Sequence, residues 1–146
     1  MNEKKALIAL QFYDNTARFL REAFSFAREK DSKIFIVHVI EEYANYSLYY
    51  DSYKLWEEFR ASAVKESLSK IMKYLKEVES SPGDIEPVIE VGDPCDKILE
   101  TADRLNVDMI IVGHRPHTVV DRILHSSTCE KIIKYSRRSV LSLYMQ

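Results

Sequence analysis

The sequence predicts an α/β protein, a three-layer α/β/α sandwich with one parallel sheet between two layers of helices. Two observations predict it. Short apolar runs such as Ile34-Phe35-Ile36-Val37 and Met109-Ile110-Ile111-Val112 are continuous rather than alternating, as in strands covered on both faces. Amphipathic segments separate these runs one by one, giving the order β-α-β-α-β-α-β-α-β, which requires right-handed crossovers and a parallel sheet.

In chain order, Ala6 to Leu10 is a short buried strand, broken by Gln11-Phe12-Tyr13-Asp14-Asn15, where Asp14 or Asn15 can cap a helix. Ala17, Leu20, Phe24 and Ala27 recur at helical spacing opposite Arg18, Arg21, Glu22 and Arg28, so the helix runs to about Lys30. Ile34 to Ile40 is the second strand, and Glu41 to Asp51 is irregular. A long helix follows from about Ser52 to roughly Glu79, its apolar face comprising Leu55, Phe59, Val64, Leu68, Ile71, Met72, Leu75 and Val78.

Ser80-Ser81-Pro82-Gly83-Asp84 signals a turn before the third strand, Ile85 to Val91. Pro87 cannot donate to a ladder, so this strand belongs at an edge, or Pro87 among its first residues. Gly92-Asp93-Pro94 reads as turn, N-cap and first helical residue, and Ile98, Leu99, Ala102 and Leu105 supply the buried face. Met109 to Val112 is the fourth strand and stops at Gly113. Ser127-Thr128-Cys129-Glu130 is a capping box, so a helix begins there and reaches about Tyr135. Ser139 to Tyr144 is the last strand.

The chain of 146 residues reads as a single domain over 1–146, long enough to bury roughly 70% of its unfolded surface. With 21 Lys and Arg against 23 Asp and Glu, it carries no general footprint for nucleic acid or anionic lipid. No apolar run spans a bilayer, and the N-terminus leads straight into a strand rather than a signal peptide. Two cysteines make no disulfide framework, so the expected compartment is the reduced cytoplasm. Three glycines, Gly83, Gly92 and Gly113, cannot build a Gly-rich phosphate loop, which excludes the P-loop and the dinucleotide fingerprint. What stays open is the carboxyl edge of the fourth strand. There a loop leads to a helix N-terminus, whose free N–H groups and positive dipole end suit a phosphate.

With the elements placed, the chain resembles the universal stress protein family over nearly its whole length. Val91-Gly92-Asp93-Pro94 followed by Ile98-Leu99-Glu100-Thr101-Ala102 looks like the family's Gly-x-Pro/Ala turn and helix. Val107-Asp108-Met109-Ile110-Ile111-Val112-Gly113 is similar to its Ala-Asp-Leu-Ile-Val-x-Gly strand, and His38-Val39 to the close of its second strand. The resemblance implies a Rossmann-like fold with five parallel strands in the order 3-2-1-4-5, a site between strands one and four, and a homodimer.

Nucleotide-binding members carry Gly-x2-Gly-x9-Gly-Ser/Thr after the fourth strand. Here the first glycine is Gly113 and the hydroxyl residue Ser127, but Pro116 and Ser126 stand at the second and third glycine positions. Pro116 has no N–H for a phosphate and holds Arg115 extended. Ser126 brings a Cβ where bare backbone would meet the ligand. Gln11 stands where binding members place an aspartate near the nucleotide. The expected loop is therefore a degenerate nucleotide motif, and no cofactor is predicted. The remaining anion site is Gly113, Val39, Ser127, Thr128 and Arg115, with Arg122 the other arginine that could contribute charge and ATP and Mg the alternative ligand.

Other candidates have plainer readings. His114, His117 and His125 space as His-x2-His-x7-His in one loop, which suits zinc only if another ligand joins them; solvated loop histidines are the expectation. His38 reads as a satisfied core histidine. Cys95 and Cys129 fall in first turns of helices, where the dipole favours thiolate, yet small buried thiols are expected, with no internal disulfide. Lys131, Lys134, Arg137 and Arg138 form a basic helix end that complements the dipole. Residues 43–59 hold Tyr43, Tyr46, Tyr49, Tyr50, Tyr53, Trp56 and Phe59, a density suited to a protein partner or to a lid.

Nothing in the sequence forms a nucleophile–base–acid set, so a non-catalytic binding and signalling module in stress response is expected. A nucleotide-gated module using the altered loop, and a slow ATP hydrolase, are the alternatives. A receiver domain is rejected, since Gln11-Phe12 and Gly92 stand where its carboxylates belong. The final strand, through Val140, Leu141, Ser142, Leu143 and Tyr144, is expected to pair with its copy across a two-fold axis, and proline at Leu141 to give monomer.

Overall fold

The computed structural model describes residues 3–12, 15–41, 53–78, 84–114 and 128–145. The elements are β1 (Lys5–Ala9), α1 (Thr16–Glu29), β2 (Lys33–Glu41), α2 (Tyr53–Val78), β3 (Ile85–Gly92), α3 (Pro94–Leu105), β4 (Met109–His114), α4 (Thr128–Tyr135) and β5 (Ser139–Tyr144). The strands form one parallel sheet in the order β3-β2-β1-β4-β5, as the family resemblance implies. Pro87 lies on an edge strand, since β3 pairs with β2 alone.

Strand parity divides the core into two layers. Ala6, Ile8 and Leu10 join Ile34, Ile36 and Ile111 against α1 and the C-terminal part of α2, with Phe19, Leu20, Ile71 and Leu75 covering them. Leu7 and Ala9 join Phe35, Val37, Val39, Ile110 and Val112 against Ile98 and Ala102 of α3 and Ile132 of α4. A strand with helices on both sides has no polar face to show, which is why these runs are apolar throughout.

The caps follow local chemistry. Asp93, extended at φ −74° and ψ 126°, accepts from the Asp96 N–H at 3.0 Å, and Pro94 occupies the first helical turn. Asn106 closes α3 in the left-handed region at φ 52° and ψ 52°. Asn15 takes the N-cap position of α1 without a side-chain cap bond, and the Thr16 hydroxyl donates to the Gln11 carbonyl at 3.3 Å. Arg138 lies beyond the end of α4. Its guanidinium donates to the Val107 carbonyl and to Asp103, each at 3.1 Å.

The face expected of α2 is seated only in part. Ile71 and Leu75 are fully buried, whereas Leu55 is 47% and Met72 40% exposed. Leu55 and Phe59 point about 160° around the helix axis from Ile71 and Leu75. The helix has 26 residues, about 39 Å of rise, against about 30 Å for the nine residues of β2. An element this long overhangs the sheet, and its first half finds little to cover.

Candidate functional site

Strand order reverses at β1, which has β2 on one side and β4 on the other, and α/β sheets place ligands outside the carboxyl ends at such a point. Leu10, Gln11 and Phe12 leave β1 there, with the Leu10 N–H still bonded to the Val37 carbonyl at 2.8 Å. Gly113 and His114 end β4, and α4 presents its first turn nearby.

Each expected site residue has a definite place or lies outside the described residues. Val39 is buried in the α3 layer, so what it offers the edge is main chain. Gly113 is exposed on β4; a Cβ built on it would stand 3.3 Å from two ring carbons of Phe19 and 3.4 Å from Met145 Cγ. Its bareness therefore has a packing reason that no ligand is needed to explain. Thr128 opens α4. Arg115, Pro116, Arg122, Ser126 and Ser127, along with His117 and His125, lie outside the described residues. So do residues 43–52 of the tyrosine-rich segment; within α2, Trp56 and Phe59 stack with centroids 5.9 Å apart.

His114 corrects an expectation. It is the last residue of β4 rather than a loop histidine, because pairing with β5 carries the ladder past Gly113 to the His114–Tyr144 register pair. Its Nδ1 is hydrogen-bonded to the Ser142 hydroxyl, and its ring meets Tyr144 edge-on at 5.3 Å. The Ser142 hydroxyl also lies 3.4 Å from the Cys129 thiol, so the start of α4 is tied to both strands. Sequence reading missed this link, yet parity along β4 and β5 puts His114 and Ser142 on one face. Among the described residues no group of three or more His, Cys, Asp or Glu is placed to hold a metal ion.

The cysteines are buried thiols. Position in a first turn does not make Cys95 a thiolate: burial pushes its pKa up, and Asp93 and Asp96 push further, against a smaller opposing effect of Lys131. Although β3 and β4 are not neighbours, α3 and α4 are, and both thiols belong to the same core layer.

His38 is a satisfied core histidine, as its strand position implied. Its Nδ1 sits 2.9 Å from the Leu10 carbonyl, and its ring lies 4.4 Å from that of Phe12. Burial lowers its pKa most, the Leu10 hydrogen bond raises it in part, and Lys70 lowers it further.

A family model described as "Universal stress protein family" matches residues 3–143. Universal stress protein MJ0531 of Methanocaldococcus jannaschii is 27% identical over 139 residues, covering 94% of this chain and 80% of that one. The solved structure of MJ0577, from the same organism, superposes with a TM-score of 0.76 at 27% identity, covering 98% of this chain and 96% of that one. A universal stress protein solved in complex with cAMP reaches a TM-score of 0.69 at 20% identity, with 99% and 100% coverage. At that identity the likeness shows the fold alone.

Proposed function

The chain belongs to the universal stress protein family, and we propose that it acts there without catalysis, as a cytoplasmic homodimeric binding and signalling module in stress response. In this reading it does not hold ATP in the usual way, since Pro116 gives no N–H, Ser126 adds a Cβ and Gln11 carries no charge. No helix among the described residues is long and apolar enough to cross a membrane. Residues 43–59 are the proposed surface for a protein partner, and the exposure of Leu55 supports this.

The contrast between the two sheet edges carries the proposal. The β3 edge holds Pro87, Glu86 and Glu90, the usual devices that blunt a free strand. The β5 edge, Ser-Val-Leu-Ser-Leu-Tyr, has neither proline nor charge, and Tyr144 is 51% exposed. The Met145 N–H donates to the His114 carbonyl at 2.8 Å. Alternation along a parallel strand then turns the amides of Leu141 and Leu143 toward β4 and those of Val140, Ser142 and Tyr144 outward. Proline at Leu141 would thus break the sheet within one chain and is not a clean test of association. Val140→Pro removes an outward amide instead. Sedimentation is expected to show dimer for the wild type and monomer with an intact fold for Val140→Pro; an unchanged dimer would place the interface elsewhere.

A second reading, a nucleotide-gated module, draws on the helix N-terminus at the carboxyl edge and on the relative solved with cAMP. Calorimetric titration of nucleotide-stripped protein with Mg-ATP separates the two. A ligand at 100 times its Kd raises stability by roughly 2.7 kcal/mol, so weak binding still registers in the melt. The expected result is no heat and no shift up to millimolar ATP. Saturable binding would install the second reading, and phosphate release with it the hydrolase.

A further inference from the structure

We propose that His38, Phe12, Tyr74 and Lys70 form an acid-sensitive clasp that holds the C-terminal part of α2 against the exits of β1 and β2. Lys70 and Tyr74 are four residues apart and share a face of α2. Both engage Phe12: the Lys70 ammonium lies 5.2 Å from the ring centroid, and the Tyr74 ring stacks at 6.2 Å with planes 18° apart. Phe12 also lies against His38 at 4.4 Å. One ring after β1 thus joins a buried imidazole on β2 to the helix above it.

The chemistry of the imidazole makes this contact conditional. A carbonyl can only accept, so Nδ1 carries the proton that it shares with Leu10, and Nε2 is the atom that titrates. Around the ring, β1 places the Leu10 carbonyl and Phe12, β3 places Ile89 in register, and α2 places Tyr74 and Lys70 across Phe12. Among the described residues, Lys70 is the cation that acts on His38. A second positive charge is therefore unwelcome at a ring this buried. Relief comes from an opening of α2 that lets water reach the imidazolium, since a helix docked on a sheet opens at lower free energy than the central strands. The sign follows from the lowered pKa. The stabilisation is fully present above the ordinary value near 6.5 and is lost as pH falls from there toward the lower folded value.

The clasp stands beside Leu10 to Phe12, the β1 side of the candidate edge. Any effect on a ligand rests on the reading above, but the clasp is tested in ligand-free protein, so the two fail separately. Amide exchange is followed from pH 7.5 to 5 and corrected for intrinsic chemistry, with the His38 ring titrated by NMR. Expected are a His38 midpoint below the ordinary value, about tenfold loss of protection over residues 70–78 for each unit of depression, and opening of residues 70–78 at lower free energy than β1 and β4 at every pH. His38→Gln, which keeps a donor for Leu10, is expected to hold α2 protection level with pH. Lys70→Gln, which leaves the core intact, should raise the His38 midpoint. An ordinary midpoint, α2 protection that ignores pH, the same loss in His38→Gln, or β1 and β4 opening together with α2 would each overturn the proposal.

Discussion

Ile71→Ala is expected to lower the stability by about 3 kcal/mol, roughly 10 °C in melting temperature, while Met72→Ala next to it stays within about 1 kcal/mol. Both are large apolar residues of α2, and the sequence pattern places both on one face. Ile71 is fully buried among Ile34, Ile36 and Leu75, so truncation leaves a cavity that a rigid sheet cannot collapse around. Met72 is 40% exposed, and water already reaches what truncation would uncover. Paired urea and thermal melts decide it. Equal losses at the two positions would mean that α2 is rotated from the seat described above.

That pair also shows where sequence reading runs out. Periodicity reports which side chains share a helix face, but not how much of the helix has a sheet beneath it. Residues 53–78 read as helix throughout, and so they are; the overhang is a property of the whole fold. The local signals were sound where the physics is local. Asp93 and Pro94 start α3 because the cap bond and the fixed proline φ act within one turn. Pro87 lies at an edge because a missing N–H excludes it from a central ladder.

Long-range terms account for the misplaced details. Gly113 reads as the stop of the fourth strand, yet β5 carries the ladder one residue further and turns His114 into a partner of Ser142. The dipole at a first turn favours thiolate, but at Cys95 desolvation and two carboxylates outweigh it. Of the candidate anion site, Gly113, Val39 and the start of α4 have places at the carboxyl edge, while Arg115 and Ser127 lie outside the described residues. The clasp around His38 was legible only as a buried strand histidine, since its partners come from the residues after β1 and from α2, distant in sequence.

Gly113→Val is expected to cost about 2 kcal/mol, and Phe19→Leu in the same chain to return part of that loss. A Cβ at this position meets Phe19 at 3.3 Å, tighter than ordinary contact, and valine adds two methyl groups in the same space. Phe19 is on the buried face of α1, in the layer that also holds Met145, so the ring has little room to retreat. If the glycine serves packing, the double-mutant cycle shows a coupling of about 1 kcal/mol, and the loss appears in the melt of protein stripped of nucleotide. If the glycine serves a nucleotide instead, the single variant melts like the wild type and differs only when ligand is added. The cycle thus bears on the family motif directly. A glycine at the end of β4 that α1 demands would persist with or without a bound phosphate, and its presence then says nothing about ATP. The positions that do bear on ATP are those where this chain departs, Gln11 and the two glycine positions Pro116 and Ser126. Returning both to glycine in a chain that keeps Gly113 is the matching half of the test. The readout of the double substitution is Mg-ATP titration rather than the melt, since added glycine freedom in the unfolded chain lowers stability whatever the ligand. Saturable Mg-ATP binding that the double substitution alone confers would show that the site is otherwise ready for a nucleotide.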